Sequence, residues 1–278
     1  MELKMAFLGL FNYNKPGPGV DKGETNKTRF FYFFELYFRK FWKLMGLNLL
    51  FLLFCIPIVT IGPAIAGMTY VLRNYANEKP TFMVSDFFDA FKSNWKQSTA
   101  LFFLDLIGSA IVGFALYWYM KTGDHSWGMM LLLGGCLFAA FILFFMRLYT
   151  YLMAVTVDLK FKDILKNAWI FSIVGLRTNF ITFFFTALIA VPLIFLLPPS
   201  FPVIVLLGFS TIGFISVFNS YPYIIRYMVE PYEQKIREEM GEEADTDAEA
   251  EGKPIFTDIG SKERPLKGTV VKKGKILK

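Results

Sequence analysis

Residues 44–76 read LMGLNLLFLLFCIPIVTIGPAIAGMTYVLRNYA, and the folding of this stretch decides the architecture. Two apolar runs, 44–61 and 63–76, meet at Thr60-Ile61-Gly62-Pro63. A helix needs about 20 apolar residues to cross a ~30 Å hydrocarbon core. The stretch is therefore either one kinked span or a tight hairpin of two.

Further apolar runs follow at 98–120, 127–157, 177–197 and 201–226, giving five or six spans in all. The composition agrees: 55% of the 278 residues are hydrophobic, 18% aromatic and only 19% charged. A soluble chain of this length carries about a quarter charged residues, dispersed at helix or strand period. Only helices and closed barrels satisfy their backbone in lipid, and barrel strands would alternate every second residue. These runs do not alternate, so the expectation is an all-α, polytopic transmembrane bundle.

Charge chooses between five and six. If 44–76 folds back, residues 1–43, 73–97 and 158–177 face one side. They hold Lys4, Lys15, Lys22, Lys27, Arg29, Arg39, Lys40, Lys43, Arg73, Lys79, Lys92, Lys96, Lys160, Lys162, Lys166 and Arg177. The connections on the other side, 57–63, 121–126 and 197–201, hold Lys121 alone. That sorting is the positive-inside pattern, and a five-span chain destroys it. Six spans with both termini cytoplasmic, in a cell membrane, is the expectation. The second span is short, so Arg73 is expected to snorkel to the interface.

Outward from this core, residues 12–28 are rich in Pro and Gly and read as a loop. Residues 29–43 (RFFYFFELYFRKFWK) mix rings with cations, as suits a helix lying in the headgroup zone. With no cleavable signal at the N-terminus, the first span is expected to serve as its own insertion signal. The chain thus divides into a cytoplasmic or interfacial segment 1–43, a membrane domain 44–230 and a charged, disordered cytoplasmic tail 231–278. The tail runs acidic at 238–251 and Lys-rich at 262–278.

Between spans, residues 84–95 put Val84, Phe87, Phe88, Phe91 and Trp95 on one helical stripe, with Ser85 or Asp86 as N-cap. Residues 161–172 do the same with Phe161, Ile164, Leu165, Ala168 and Trp169. The two form a weak repeat of cytoplasmic amphipathic helices. Phe87, Phe88, Phe91, Trp95, Ile164, Leu165 and Trp169 are accordingly expected to face a partner.

The run Tyr13-Asn14-Lys15-Pro16-Gly17-Pro18-Gly19-Val20 precedes an aromatic stretch that ends Arg39-Lys40-Phe41-Trp42-Lys43-Leu44. With Asn48, Pro57, Ile61-Gly62-Pro63-Ala64 and Asp86-Phe87-Phe88, it resembles the YesL family of bacterial membrane proteins, a domain of unknown function. The resemblance covers roughly residues 5–230. Members are often encoded beside carbohydrate ABC importers, so it implies such a permease as a partner. It carries over no catalytic residue.

Candidate chemistry is sparse. Lys-Pro-Gly-Pro-Gly-Val lacks P-loop spacing, and its prolines remove amide donors, so it reads as a docking turn. His125, beside Asp124, is the only histidine and cannot make a metal site alone. Cys55 and Cys136 lie in apolar runs, which argues against a disulfide. Asp105 and Arg147 fall at similar depth on neighbouring spans, where a charge costs at least ~2–3 kcal/mol unless paired or wet. They are expected to pair, or else Arg147 snorkels while Asp105 bonds a neighbouring hydroxyl or water. With Asn48, Asn179 and Asn219 they define a polar patch in the cytoplasmic half. The patch either glues helices or lines a vestibule. Ser109 with Gly113, and Gly135 with Ala139, have the spacing of close helix contacts.

No cofactor, no metal and no nucleic acid is expected, since the +6 net charge flanks apolar runs. The functional expectation is a non-enzymatic accessory or regulatory membrane protein, with the lipid bilayer and a carbohydrate ABC importer permease as partners. The alternative is a small-solute transporter or channel using the polar patch.

Overall fold

A computed structural model describes residues 28–122, 126–236 and 238. The Lys15–Val20 turn, Asp124, His125 and the charged tail from 239 onward lie outside them. Apart from short connections the described residues are helical, with no strand among them.

Residues up to Arg39 form one unit. Its described part is α1 (Arg29–Arg39), which carries Phe30, Phe31, Phe34 and Phe38 at its surface between Arg29 and Arg39.

From Lys40 onward the second unit holds α2 (Phe41–Cys55), α3 (Ile61–Ala76), α4 (Met83–Ser93), α5 (Trp95–Thr122), α6 (Trp127–Thr156), α7 (Phe161–Val174) and α8 (Leu176–Phe195). The last helix, α9, runs Phe201–Ile236 with π-helical turns at Ile204–Gly208 and Ile225–Val229. Phe41–Lys43, read as the end of the interfacial segment, form the first turn of α2. At the other end, α9 continues past residue 230.

Four helices, α5, α6, α8 and α9, are long and apolar enough to cross a membrane, and α2 is a shorter apolar helix. The chain is an all-helical transmembrane bundle.

The stretch 44–76 is a hairpin. After α2 the backbone turns at Pro57, passes through a 3-10 turn at Ile58–Thr60 and returns as α3, which packs on α2. Thr60 holds the turn. Its Oγ1 lies 2.6 Å from the Phe54 carbonyl and 2.7 Å from that of Pro57, whose oxygen also accepts from the Thr60 N–H at 3.0 Å.

The helix that looked weakest as a span is the centre of the bundle. α3 packs against α2, α4, α5, α6 and α9, and most of its residues are buried. Small residues make this possible, because helices in lipid associate by close packing rather than by hydrophobic exclusion. A Cβ on Gly62 would collide with the Ser98 carbonyl of α5. One on Gly67 would meet the Phe87 carbonyl of α4 at 2.8 Å.

Two features correct the sequence reading. Arg73 does not snorkel. It is 3% exposed and points into the bundle. The apolar faces of α4 and α7 also turn largely inward. Phe87 and Phe91 are buried, with their rings and that of Phe88 at 5.1–5.9 Å from Phe54 of α2. Ile164 is fully buried and Leu165 half-buried, which leaves Trp95 and Trp169 exposed. The chain's own α2 and α3 take the place expected for a partner on α4.

Among the residues of α5 only Ser98, Leu101 and Phe102 are buried, all near its start. In α6 the buried residues are Phe145 and the run Leu148 to Thr156. The outer halves of α5 and α6 carry no buried residue among those described.

Candidate functional site

The five residues of the expected polar patch divide among separate helix junctions. Asn48 sits in mid-α2, fully buried. Its Nδ2 donates to the carbonyls of Ile204 at 3.1 Å and Val205 at 2.6 Å, and its Oδ1 accepts from the Ser210 N–H at 2.8 Å. These groups belong to the π-helical turn of α9 and the residues bordering it. A π turn breaks the i→i−4 ladder and leaves backbone groups in need of partners. One amide side chain supplies donor and acceptor together.

Asp105 and Arg147 meet across α5 and α6, Nη2 to Oδ2, at 3.3 Å. The arginine side chain is 51% exposed and the aspartate 19%, so the cation faces outward and the carboxylate inward. Beside them, one turn along α6, the Tyr151 hydroxyl is buried with no hydrogen-bond partner among the described residues.

Asn179, fully buried near the start of α8, joins three helices. Its Oδ1 accepts from the Tyr149 hydroxyl of α6 at 2.7 Å, and its Nδ2 donates to the Phe171 and Ser172 carbonyls of α7 at 3.3 and 3.0 Å. Those carbonyls belong to the last turn of α7, where helix carbonyls begin to run out of backbone donors, although that of Phe171 also accepts from the Gly175 N–H at 2.9 Å. Asn219 is half-buried on α9, and no described hydrogen bond joins it to the other four.

Sequence reasoning missed Arg73 and Tyr149. Arg73 Nη1 donates to the Val155 carbonyl at 2.7 Å and reaches Thr156 Oγ1 at 3.4 Å. Its Nη2 bonds Asn74 Oδ1 at 3.2 Å, and the guanidinium lies 4.4 Å from the Tyr70 ring centroid. The accepting carbonyl is in the final turn of α6, where unsatisfied oxygens and the helix dipole favour a cation. Its neighbours Asn74 and Tyr70, polar and aromatic beside an arginine near a helix end, were the available signal. They match an interfacial anchor equally well, so the pattern did not discriminate.

Asn48, Arg73 and Asn179 thus each tie one helix to another, at a π turn or near a helix end. Among the described residues no group of three His, Cys, Asp or Glu side chains could hold a metal ion. A cleft lies between the outer halves of α5 and α6, lined by Phe114, Trp118, Met129 and Leu132 among others, and is almost wholly apolar.

Residues 44–118 match the family described as "Protein of unknown function, DUF624". The matched segment runs from α2 into α5 and so contains Asn48, the Gly62 and Gly67 contacts, Arg73 and Asp105. It contains neither Arg147 nor Asn179. No curated protein and no solved structure matches the chain.

Proposed function

We propose that the protein is a non-enzymatic accessory or regulatory subunit of a membrane assembly, acting by contact between helices in the bilayer. The partner we propose is the permease of a carbohydrate ABC importer, a choice that comes from the YesL resemblance alone.

One observation carries the reading. The buried polar side chains Asn48, Arg73 and Asn179 are spent on ties within the chain, while the long outer halves of α5 and α6 carry no buried residue among those described. A transporter needs polar groups that converge on a path. Here they are distributed to separate junctions, and the outer cleft is apolar. A subunit that works by docking needs rigid internal ties and a large apolar flank, which is this combination.

The experiment is purification of the native complex in a mild detergent, with sugar uptake measured in a deletion strain. We expect a permease to co-purify and uptake to fall. A protein that runs alone, in cells whose uptake is unchanged by deletion, would end this reading. The transporter alternative has its own check: Asp105→Leu should abolish activity if the charge pair belongs to a transport path.

A further inference from the structure

We propose that the tip of the α2–α3 hairpin, Ile56-Pro57-Ile58-Val59, is a lipid-binding surface. It rests among the acyl chains of the leaflet from which α5 starts, and the hairpin does not reach the opposite face.

The surface itself points to lipid. Ile56, Ile58 and Val59 are 75%, 65% and 52% exposed. A turn that faces water is built from Gly, Asn, Asp and Ser, whose side chains hydrate or bond the backbone. This one is built from β-branched apolar residues and a proline. Backbone polar groups left bare in hydrocarbon cost several kcal/mol each, and the turn keeps few of them. Pro57 has no N–H to satisfy. The Thr60 hydroxyl shares its proton between the Phe54 and Pro57 carbonyls, the Thr60 N–H bonds Pro57, and the Ile61 N–H bonds the Ile58 carbonyl.

Depth follows from where the two ends of α3 lie. Gly62, just past the tip, packs on the backbone of Ser98 and Thr99 in the first turns of α5. Arg73, near the other end of α3, bonds Val155 in the last turn of α6. Ser98 and Val155 sit at the same end of the α5–α6 pair, because Gln97 Nε2 donates to the Leu159 carbonyl at 2.8 Å and Asp105 pairs with Arg147 further along. So α3 crosses the base of that pair. A tip on the far face would be separated from Ser98 by the thickness of the membrane. Length agrees: α2 and α3 have 15 and 16 residues. That is roughly 22–24 Å at ~1.5 Å per residue, short of a ~30 Å core.

The sorting of cations is indifferent to this change. Residues 56–62 carry no charge, so four crossings and a half-entering hairpin leave the lysines and arginines on the same faces as six crossings do.

The test uses the full chain with Cys55 and Cys136 replaced, a fluorophore on Val59→Cys, and phosphatidylcholine vesicles of known protein orientation. Doxyl-labelled phosphatidylcholine is placed in both leaflets, or by lipid exchange only in the leaflet on the side of the α5–α6 turn, which is identified by labelling Ser126→Cys. The expected result is quenching of at least several-fold with both leaflets loaded and little with the Ser126-side leaflet alone. Equal quenching from the Ser126-side leaflet, or quenching by aqueous iodide but not by doxyl lipid, overturns the proposal. Ile58→Cys provides a second probe position if the first variant does not fold.

Discussion

The ammonium of Lys40, at the foot of α2, lies 5.7 Å from the ring centroid of Tyr75, near the end of α3. In one continuous helix these residues would stand roughly 50 Å apart at ~1.5 Å per residue. Their contact closes the hairpin at its open end as the Thr60 bonds close it at the tip. The fold then rests on how closely α3 can approach its neighbours.

That closeness is testable at two glycines with a control. Gly62→Leu and Gly67→Leu would drive a side chain into the Ser98 and Phe87 carbonyls, backbone that cannot move aside cheaply. Overpacking of this kind costs about 1–3 kcal/mol or more. Thermal unfolding in detergent should show both variants melting several degrees below the parent or failing to express. Gly113→Leu, where nothing of the chain lies within 4 Å of the added Cβ, should melt with the parent.

Arg73 separates a clamp from an anchor. If it holds the last turn of α6, Arg73→Ala strands the Val155 carbonyl and loses charge-assisted bonds worth about 1.5–3 kcal/mol each. Arg73→Lys should recover only part, since an ammonium lacks the planar fork that reaches Val155 and Asn74 together. A headgroup anchor would tolerate lysine fully. Unfolding midpoints of the three proteins in one detergent decide between the two roles.

For Asn48, removing the side chain frees two carbonyls and one N–H on α9. Interhelical hydrogen bonds in bilayers average about 0.6 kcal/mol and reach ~1.7, so Asn48→Ala should cost about 1–3 kcal/mol. Asn48→Asp should be worse, because it sets a carboxylate oxygen against the carbonyls of Ile204 and Val205. Asn219→Ala should change stability by less than either. Equal effects at positions 48 and 219 would contradict the distinction drawn between them.

Tyr149→Phe removes one hydroxyl from the junction of α6, α7 and α8 while keeping the ring. Asn179 retains its bonds to Phe171 and Ser172, so the loss should be about 1 kcal/mol. Asn179→Leu should cost more, and in the double variant the two losses should not add, because the residues share a bond. Additive losses would mean that the hydroxyl and the amide act independently.

Much of the scaffold was legible because lipid imposes length. Helices α5, α6, α8 and α9 are readable from apolar runs that nothing else in a protein requires. The fold-back near Gly62 was readable from charge. What charge could not convey is how far the hairpin penetrates, since Ile56–Gly62 is neutral and moving it between faces alters no count. The amphipathic stripes of α4 and α7 were equally visible, but a stripe does not name what covers it. Phe87 looked available until α2 brought Phe54 against it. Arg73 misled for a related reason: the rule that places arginines at interfaces holds when the alternative is hydrocarbon, and here the alternative is the Val155 carbonyl with the Thr156 and Asn74 side chains. Polar residues inside spans were found by composition alone. Their division among three junctions depends on helix packing that no single-chain pattern encodes.

The central claim is that the connections bearing cations share one membrane face, opposite the α5–α6 turn. Single cysteines at Lys79, Ser126 and Asp158, all in exposed positions, test it in cells when challenged with a membrane-impermeant maleimide. Labelling of Ser126→Cys is expected in intact cells, and of Lys79→Cys and Asp158→Cys only after lysis. Labelling of Lys79→Cys or Asp158→Cys from outside intact cells would contradict it.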